Sequence, residues 1–163
     1  MTEKELLSKV LNFKDKNLVW SFDLYSPLFK KNIPYNIYFS NGKIELFEIT
    51  LNTIEDFLNL EDTELKRIEN CVWEHCLACN QDEKISSDGG KTWMEFSKEE
   101  KLKEYNIQSK NDIEGKWYVN EIFIDNEWGV ENRIFNINIL TEWDNEHFFS
   151  LIYSNGIFSE IEM

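Results

Sequence analysis

A chain of 163 residues, 42% hydrophobic and 15% aromatic, is long enough and apolar enough to bury a core without disulfides. A disordered chain would be poor in aromatic side chains, so this composition excludes disorder and favours one domain over residues 1–163. The net charge of −14 disfavours nucleic acid and anionic membranes as partners, because both are themselves negatively charged.

The N-terminal segment and the cysteines indicate a reducing compartment. Residues 1–13 lack the apolar core of a signal peptide, and the chain has no run of about 18 apolar residues that could span a membrane. The three cysteines, Cys71, Cys76 and Cys79, lie on one predicted helix, and an odd, clustered set is not a disulfide framework. We therefore expect a cytoplasmic protein with reduced thiols.

The first elements in chain order are a short helix and a strand. Thr2 and Glu5 form a capping-box pattern at the start of a helix predicted over residues 2–11. Apolar and polar side chains then alternate, and this period of two predicts a half-buried strand over residues 18–25.

A hairpin is predicted next. The tripeptide Ser40-Asn41-Gly42 separates two apolar runs, and Asn-Gly in that position is typical of a tight turn. We predict strands over residues 35–39 and 43–49 on either side of it.

A long helical region is predicted over residues 50–80. Its apolar spacing breaks at residues 59–62, which predicts either two helices or one bent helix. In the second part, apolar residues step by three or four positions, as on the buried face of an amphipathic helix. These residues are Leu65, Ile68, Val72, Cys76 and Cys79.

A loop and a further helix precede the last strands. Residues 81–91 are polar and contain adjacent glycines, which is typical of a loop. Ser97 and Glu100 form a second capping-box pattern, for a helix over residues 97–105. A strand is predicted after it, over residues 107–113.

The last third of the chain is rich in strands, which we predict over residues 116–124, 133–140, 146–153 and 157–162. Asn155-Gly156 is a tight-turn sequence between the last two. In residues 133–140, Ile134, Asn136, Asn138 and Leu140 alternate with Phe135, Ile137 and Ile139, so this strand has two different faces. The order of elements predicts an α+β fold, an antiparallel meander sheet with two to four helices packed on one face.

One cluster combines thiols and an imidazole, which are zinc ligands. It consists of Cys71, His75, Cys76 and Cys79. On a helix these residues spread over about 12 Å of rise, too far for all four to contact one ion. A pair of them could bind an ion with two ligands from elsewhere, or Cys76 and Cys79 are small core residues. Since the paired CxxC spacing of zinc sites is missing, we expect no metal and no cofactor.

Each of the two histidines follows a glutamate, in Glu74-His75 and Glu146-His147. A histidine beside a carboxylate can serve as a general base, and packing of the central helix on the last strands would bring both pairs into one polar site. No nucleophile, phosphate-binding or dinucleotide-binding motif accompanies them in the sequence. The alternative is that both are structural imidazoles, hydrogen-bonded to backbone or carboxylate.

Acidic residues are unevenly placed along the chain, and one concentration lies over residues 55–69. Six acids and only Lys116 lie between residues 112 and 131, and no Lys or Arg follows Arg133. Such charge gives a solvated surface, or a face that captures a basic protein partner and speeds its association. Trp128, on a predicted acidic turn, either anchors that partner or folds back onto the sheet. The predicted partner-binding face consists of Glu127, Trp128, Glu131, Glu142 and Asp144.

The C-terminal stretch TEWDNEHFFSLIYSNGIFSEIE (141–162) resembles the end of a family of small uncharacterised bacterial domains that close with a W-D-x-E-H motif. Trp143, Asp144, Glu146 and His147 match that motif. Members often continue with Gly-Leu-Gly, where this chain has Phe148, Phe149 and Ser150. Such domains resemble the immunity proteins of bacterial polymorphic toxins. The resemblance therefore implies a small cytoplasmic protein that plugs the active site of a toxin, and it carries no catalytic residue over.

Three hypotheses follow. The first is an immunity-like protein-binding module that neutralises a basic toxin domain through its acidic surface, without enzymatic activity. The second is a small enzyme or metal-binding domain centred on the two histidines and their neighbouring carboxylates. The third is an interaction module with another protein partner.

Overall fold

The structure is a computed structural model that describes residues 1–14, 18–39, 44–86, 88–126 and 132–162. The helices are α1 (Glu3–Leu7), α2 (Glu48–Leu58), α3 (Asp62–Cys79), α4 (Lys98–Glu104) and a 3-10 helix (Lys110–Ile113). The strands are β1 (Asn12–Lys14), β2 (Val19–Ser26), β3 (Lys31–Tyr38), β4 (Glu83–Ile85), β5 (Met94–Phe96), β6 (Trp117–Asp125), β7 (Ile134–Thr141), β8 (Asp144–Ser154) and β9 (Ile157–Glu162).

Seven of these strands form one sheet in the order β1-β2-β3-β6-β7-β8-β9. Neighbouring strands are antiparallel except β3 and β6, which are parallel. The parallel pair arises because helices α2, α3 and α4 lie between β3 and β6 in the chain, and parallel neighbours need such a long connection. The predicted α+β fold with a mostly antiparallel sheet is confirmed.

One sheet face, which we call the packed face, forms the core with the helices. Phe57 of α2 lies at its centre, fully buried, with its ring edge-on to Tyr35 of β3 at 5.6 Å and to Phe135 of β7 at 5.7 Å. Burying a phenylalanine side chain contributes about 1.5–3 kcal/mol, and edge-to-face pairs add to it. Helix α3 contributes buried side chains to the same core, among them those of Ile68, Val72 and Cys76.

The opposite sheet face, which we call the outer face, carries a different set of side chains. Residues paired across strands share a face, and side chains along a strand alternate. The outer face therefore includes Ser21, Asp23, Tyr25, Asn36, Tyr38, Tyr118, Glu121, Asn136, Asn138, Phe148, Ser150, Ile152, Glu160 and Glu162. In the part of the chain that the structure describes, no apolar residue of this face belongs to the core cluster.

Local sequence signals fixed several element boundaries as predicted. The capping boxes of Thr2 with Glu5 and of Ser97 with Glu100 are both present. The helical region divides into α2 and α3, as the break in apolar spacing predicts. Asn155 and Gly156 have φ angles of 53° and 76°, which is the left-handed backbone of a tight turn between β8 and β9.

The strand predicted over residues 43–49 is wrong, because residues 44–47 form no strand and α2 begins at Glu48. The buried side chain of Asn126 provides the reason. Its Nδ2 donates to the Glu45 carbonyl at 2.6 Å, and its Oδ1 accepts from the Thr50 hydroxyl at 2.6 Å. The first bond satisfies a backbone carbonyl that would otherwise need a strand partner, and the second ties Asn126 to the first turns of α2. The turn predicted at residues 40–42 lies outside the described residues.

Three other predictions need correction. Residues 107–113 are not a strand, since Lys110–Ile113 form a 3-10 helix. The reason is local, because the side chain of Asp112 accepts the backbone N–H of Ser109 at 2.7 Å and so closes a turn. The segment predicted as a loop over 81–91 contains β4, which pairs with β5. The first helix, predicted over 2–11, ends at Leu7.

At the C-terminal end of α3, the buried face also differs from the one predicted from the sequence. Cys71 and His75 are buried together with the predicted Ile68, Val72 and Cys76. Cys79, predicted on the buried face, is exposed, because the last turn of α3 meets the polar side chain of Asp144 instead of the core. None of the helices in the described residues has the length and apolar character that a membrane crossing requires.

Candidate functional site

The last two turns of α3 and the start of β8 bring five side chains into one cluster. His75 and Cys79 lie four residues apart on α3 and therefore on one helix face. Trp143, in the turn between β7 and β8, and Asp144, the first residue of β8, approach them from the sheet, and the Asp144 N–H donates to the Thr141 hydroxyl at 3.2 Å. With His147, three residues further along, we call these residues the histidine cluster.

His75 is held as a neutral imidazole. It is 5% exposed, and its ring stacks on Phe149 at 4.2 Å with an angle of 17° between the planes. The indole Nε1 of Trp143, which can only donate, lies 3.2 Å from Nδ1 of His75. Nδ1 must therefore be the acceptor, and the proton of the neutral ring is on Nε2. Burial lowers the pKa of His75, and the negative charge of Asp144 raises it by a smaller amount.

Cys79 and Asp144 both lie near Nε2 of His75. The Cys79 sulfur is 3.4 Å from Nε2, and an oxygen of Asp144 is 4.0 Å from it. Burial raises the pKa of the Cys79 thiol, and the negative charge of Asp144 raises it further. The thiol is thus kept protonated, which is the reverse of an activated nucleophile.

Asp144 joins the two histidines. Its Oδ1 is 3.2 Å from Nδ1 of His147, and its other oxygen faces His75. The backbone N–H of His147 also donates to Oδ1, at 3.3 Å. Two residues that the sequence places 72 positions apart therefore share one carboxylate through the packing of α3 against β8.

Glu74 and Glu146, the neighbouring carboxylates, do not join the cluster. Both are exposed, and within the described residues no hydrogen bond or ion pair links either of them to a histidine. A cleft of about 420 Å³ lies elsewhere, lined by Glu69, Lys110 and Trp117 among others. Neither histidine is among its lining residues.

The cysteine-rich sequence of α3 does not form a site by itself. Cys71 and Cys76 are buried, and burial raises the pKa of both thiols, that of Cys76 to about 11. Of the four residues weighed as a possible metal cluster in the sequence, His75 and Cys79 come together in the described structure, and their third neighbour is Asp144. These three residues offer ligand atoms that all lie within 4.8 Å of one another.

The outer face has a polar network that the sequence prediction missed. Glu121 is its centre and accepts one amide hydrogen bond on each carboxylate oxygen, from Asn36 on β3 and from Asn138 on β7 at 2.8 Å. The hydroxyls of Ser21 and Ser150 donate to these two amides, at 2.5 Å and 2.7 Å. The network crosses five strands, and on each side a serine hydroxyl donates to an amide oxygen and the amide N–H donates to the carboxylate of Glu121.

Exposed aromatic and acidic side chains surround this network. Tyr25, Tyr118 and Phe148 are each more than half exposed. In strands β2, β3, β6, β7, β8 and β9, the single Lys or Arg is Lys31. The same strands contain seven acids, namely Asp23, Glu121, Asp125, Asp144, Glu146, Glu160 and Glu162. By register, Lys31 pairs with Ser26 and is not on the outer face.

The structure describes two of the five residues predicted to bind a partner, Glu142 and Asp144. Glu127, Trp128 and Glu131 lie outside the described residues. Glu142 is exposed and lies 3.4 Å from Lys116, while Asp144 turns toward the histidines.

The fold and these two sites define an α+β protein with helices on one sheet face and an acidic, aromatic outer face. The chain belongs to the family described as Domain of unknown function (DUF6985), whose model matches residues 9–163. No curated protein matches the chain, and no solved structure matches it.

Proposed function

We propose that this protein binds a basic protein partner through the outer face of its sheet, as an immunity-like module that neutralises a toxin domain. The observation that carries the proposal is the charge of six of the seven strands of the sheet: β2, β3 and β6 to β9 contain seven acids, six of them apart from Asp144 of the histidine cluster, against Lys31 as their one Lys or Arg. A surface with an excess of one charge sign attracts a partner of the opposite sign and speeds its association.

The aromatic side chains support a protein as the partner. Tyr25, Tyr118 and Phe148 expose between 51% and 58% of their surface on this face. Tyrosine and other aromatic residues are enriched among the residues that dominate binding energy in protein interfaces. These side chains are not part of the core, so the fold does not depend on burying them. Their exposed surface can therefore contact a partner.

The polar network supports a surface of defined shape. Glu121 and its two amide partners connect neighbouring strands, so the network holds the positions of the side chains around it. A rigid surface loses less conformational entropy on binding than a mobile one. The resemblance of Trp143, Asp144, Glu146 and His147 to the closing motif of immunity-like domains favours a toxin as the class of partner.

The test compares three immobilised proteins against one lysate of the source cells: the natural chain, an outer-face variant and a charge-matched control. The outer-face variant is D23K with E160K, and the control is E99K with E104K on α4. All four positions are exposed, so both variants change the net charge equally and should fold.

We expect a basic protein that the natural chain and the control retain at low salt and release at high salt. Its retention by the outer-face variant should fall at least about tenfold, because like charges then face each other across the interface. If both variants lose the protein equally, net charge alone explains the binding. If no retained protein distinguishes them, the outer face is not the binding surface.

A further inference from the structure

We propose that His75, Cys79 and Asp144 form a binding site for one divalent transition-metal ion of the zinc class. The three side chains supply one nitrogen, one sulfur and one oxygen atom, all within 4.8 Å of one another. This site is independent of the proposed partner surface, since it lies between α3 and β8 on the other side of the sheet from the outer face.

The ligand atoms of His75 and Cys79 already have the spacing that a tetrahedral ion requires, and Asp144 lies slightly too far away. With metal–ligand distances of about 2.0–2.3 Å, two ligands of a tetrahedral zinc ion lie about 3.5 Å apart. The Cys79 sulfur and Nε2 of His75 are already 3.4 Å apart, and the Asp144 oxygen is 4.0 Å from Nε2. A rotation of the Asp144 side chain that moves its oxygen by a few tenths of an ångström to about one ångström would bring that oxygen to the tetrahedral spacing.

The backbone holds two of the three ligands in place without a metal. His75 and Cys79 are at positions i and i+4 of α3, a spacing that zinc sites on helices use because it places both side chains on one face. His75 is also fixed by its stacking on Phe149. Little conformational entropy would therefore be lost on binding an ion.

His147 acts on the site through Asp144. Its Nδ1 lies 3.2 Å from the Asp144 oxygen that faces away from His75, so it orients the carboxylate. Such an outer partner of a metal ligand typically changes metal affinity by about 10–100-fold. His147 is 77% exposed, and the fourth position of the ion is left to water or to a group from a partner.

The choice of ion follows from the ligand atoms. A thiolate with an imidazole favours zinc, cobalt and similar ions, while magnesium and calcium prefer oxygen ligands alone. An ion held by nitrogen, sulfur and oxygen together is thus distinguishable from one adsorbed on the acidic surface, because only the former has a sulfur ligand.

The Trp143 hydrogen bond sets a condition on binding. Nδ1 of His75 accepts from the indole, so the neutral ring has its proton on Nε2, the atom that would bind the ion. When Nε2 binds a metal, the proton of a neutral ring moves to Nδ1, where it would face the indole N–H. Metal binding should therefore break the Trp143–His75 bond, and the indole N–H signal reports it.

The experiment titrates the chelator-treated, reduced full chain with Co²⁺, followed by Zn²⁺ in competition. We expect one equivalent of Co²⁺ with a sulfur-to-cobalt charge-transfer band, displaced by Zn²⁺, and a shifted indole N–H resonance of Trp143. The C79S variant should lose the band and bind at least about tenfold more weakly, and H147Q should weaken binding without removing the band.

The C71A variant is the matched control, since Cys71 lies on the same helix but not in the group of ligands. It should keep both the band and the affinity. Cys79 and His147 are exposed, so their variants should fold, and circular dichroism checks this. Binding without a charge-transfer band, equal binding by C79S, or no binding at millimolar Co²⁺ would each overturn the proposal. None of these outcomes bears on the partner-binding surface.

Discussion

The indole Nε1 of Trp143 donates a 3.2 Å hydrogen bond to Nδ1 of His75, and so fixes which nitrogen of a buried histidine holds the proton. The two residues come from different parts of the chain, the turn before β8 and the middle of α3. Their contact places Asp144, the next residue after Trp143, beside both histidines.

Replacing Trp143 with phenylalanine should destabilise the fold by about 1–3 kcal/mol. The variant W143F leaves the buried Nδ1 of His75 without its donor, and an unpaired buried polar group costs free energy in that range. The measurement is the free energy of unfolding in urea. The control is W93F, since Trp93 is 59% exposed and its loss should change stability by less than about 0.5 kcal/mol. Equal stabilities of the two variants would contradict the prediction.

Replacing Glu121 with glutamine should weaken the network of the outer face. In E121Q, one carboxylate oxygen becomes an NH₂ group, which faces the NH₂ group of Asn36 or Asn138 and cannot accept from it. Asn138 is 3% exposed, so we expect a loss of about 1–3 kcal/mol in the free energy of unfolding. The variant E160Q removes the same charge at an exposed position and should be nearly neutral. If both variants are equally stable, the network does not contribute as described.

The three cysteines should differ in reactivity toward iodoacetamide in the chelator-treated native protein. Cys79 should react first, because Cys71 and Cys76 are buried and burial raises the pKa of their thiols, that of Cys76 to about 11. The variant D144N should speed the reaction of Cys79, since the Asp144 charge contributes to its raised pKa. Peptide mass spectrometry over time measures both effects. Modification of Cys76 before Cys79 would show that α3 packs differently.

Asp88 should titrate at a pKa of about 2, below its ordinary value of 3.8. The causes are hydrogen bonds from the hydroxyl and the backbone N–H of Thr92, with a smaller contribution from Lys91. Since the pKa is lowered in the folded state, the stabilisation is complete above pH 3.8 and is lost as the pH falls through about 2. The amide resonances of Lys91 and Thr92 should shift with that midpoint. In the control variant D88N, this transition should be missing. A midpoint near 4 in the natural chain would show that Asp88 does not accept these hydrogen bonds.

The sequence indicated the two histidines of the histidine cluster, but not that Cys79 and Trp143 contact His75. The paired Glu-His sequences drew attention to His75 and His147, and the packing of α3 on the last strands explains how one carboxylate reaches both. Cys79 was expected in the core, because helical spacing alone cannot show where a helix end passes the edge of a sheet. The tautomer of His75 depends on Trp143, 68 positions away, and no local pattern predicts it.

By itself, the sequence determined the features that depend on near neighbours in the chain. The capping boxes at Thr2 and Ser97 and the turn at Asn155-Gly156 arise from interactions across one to four residues, and each is confirmed. The two faces of β7 are also present, since Phe135, Ile137 and Ile139 belong to the core cluster and Asn138 belongs to the polar network, although both sets are buried. The α+β class followed because the order of helices and strands is a property of the chain.

Only the tertiary structure decided the features that depend on distant partners. Asn126 prevents a strand before α2 by bonding to Glu45 and Thr50, which lie more than 70 positions earlier in the chain. The Glu121 network requires the register of five strands, although the alternating Asn136 and Asn138 were a visible signal of an unusual face. The physical reason is common to both cases: a buried polar group must be paired, and its partner is chosen by packing rather than by proximity in sequence.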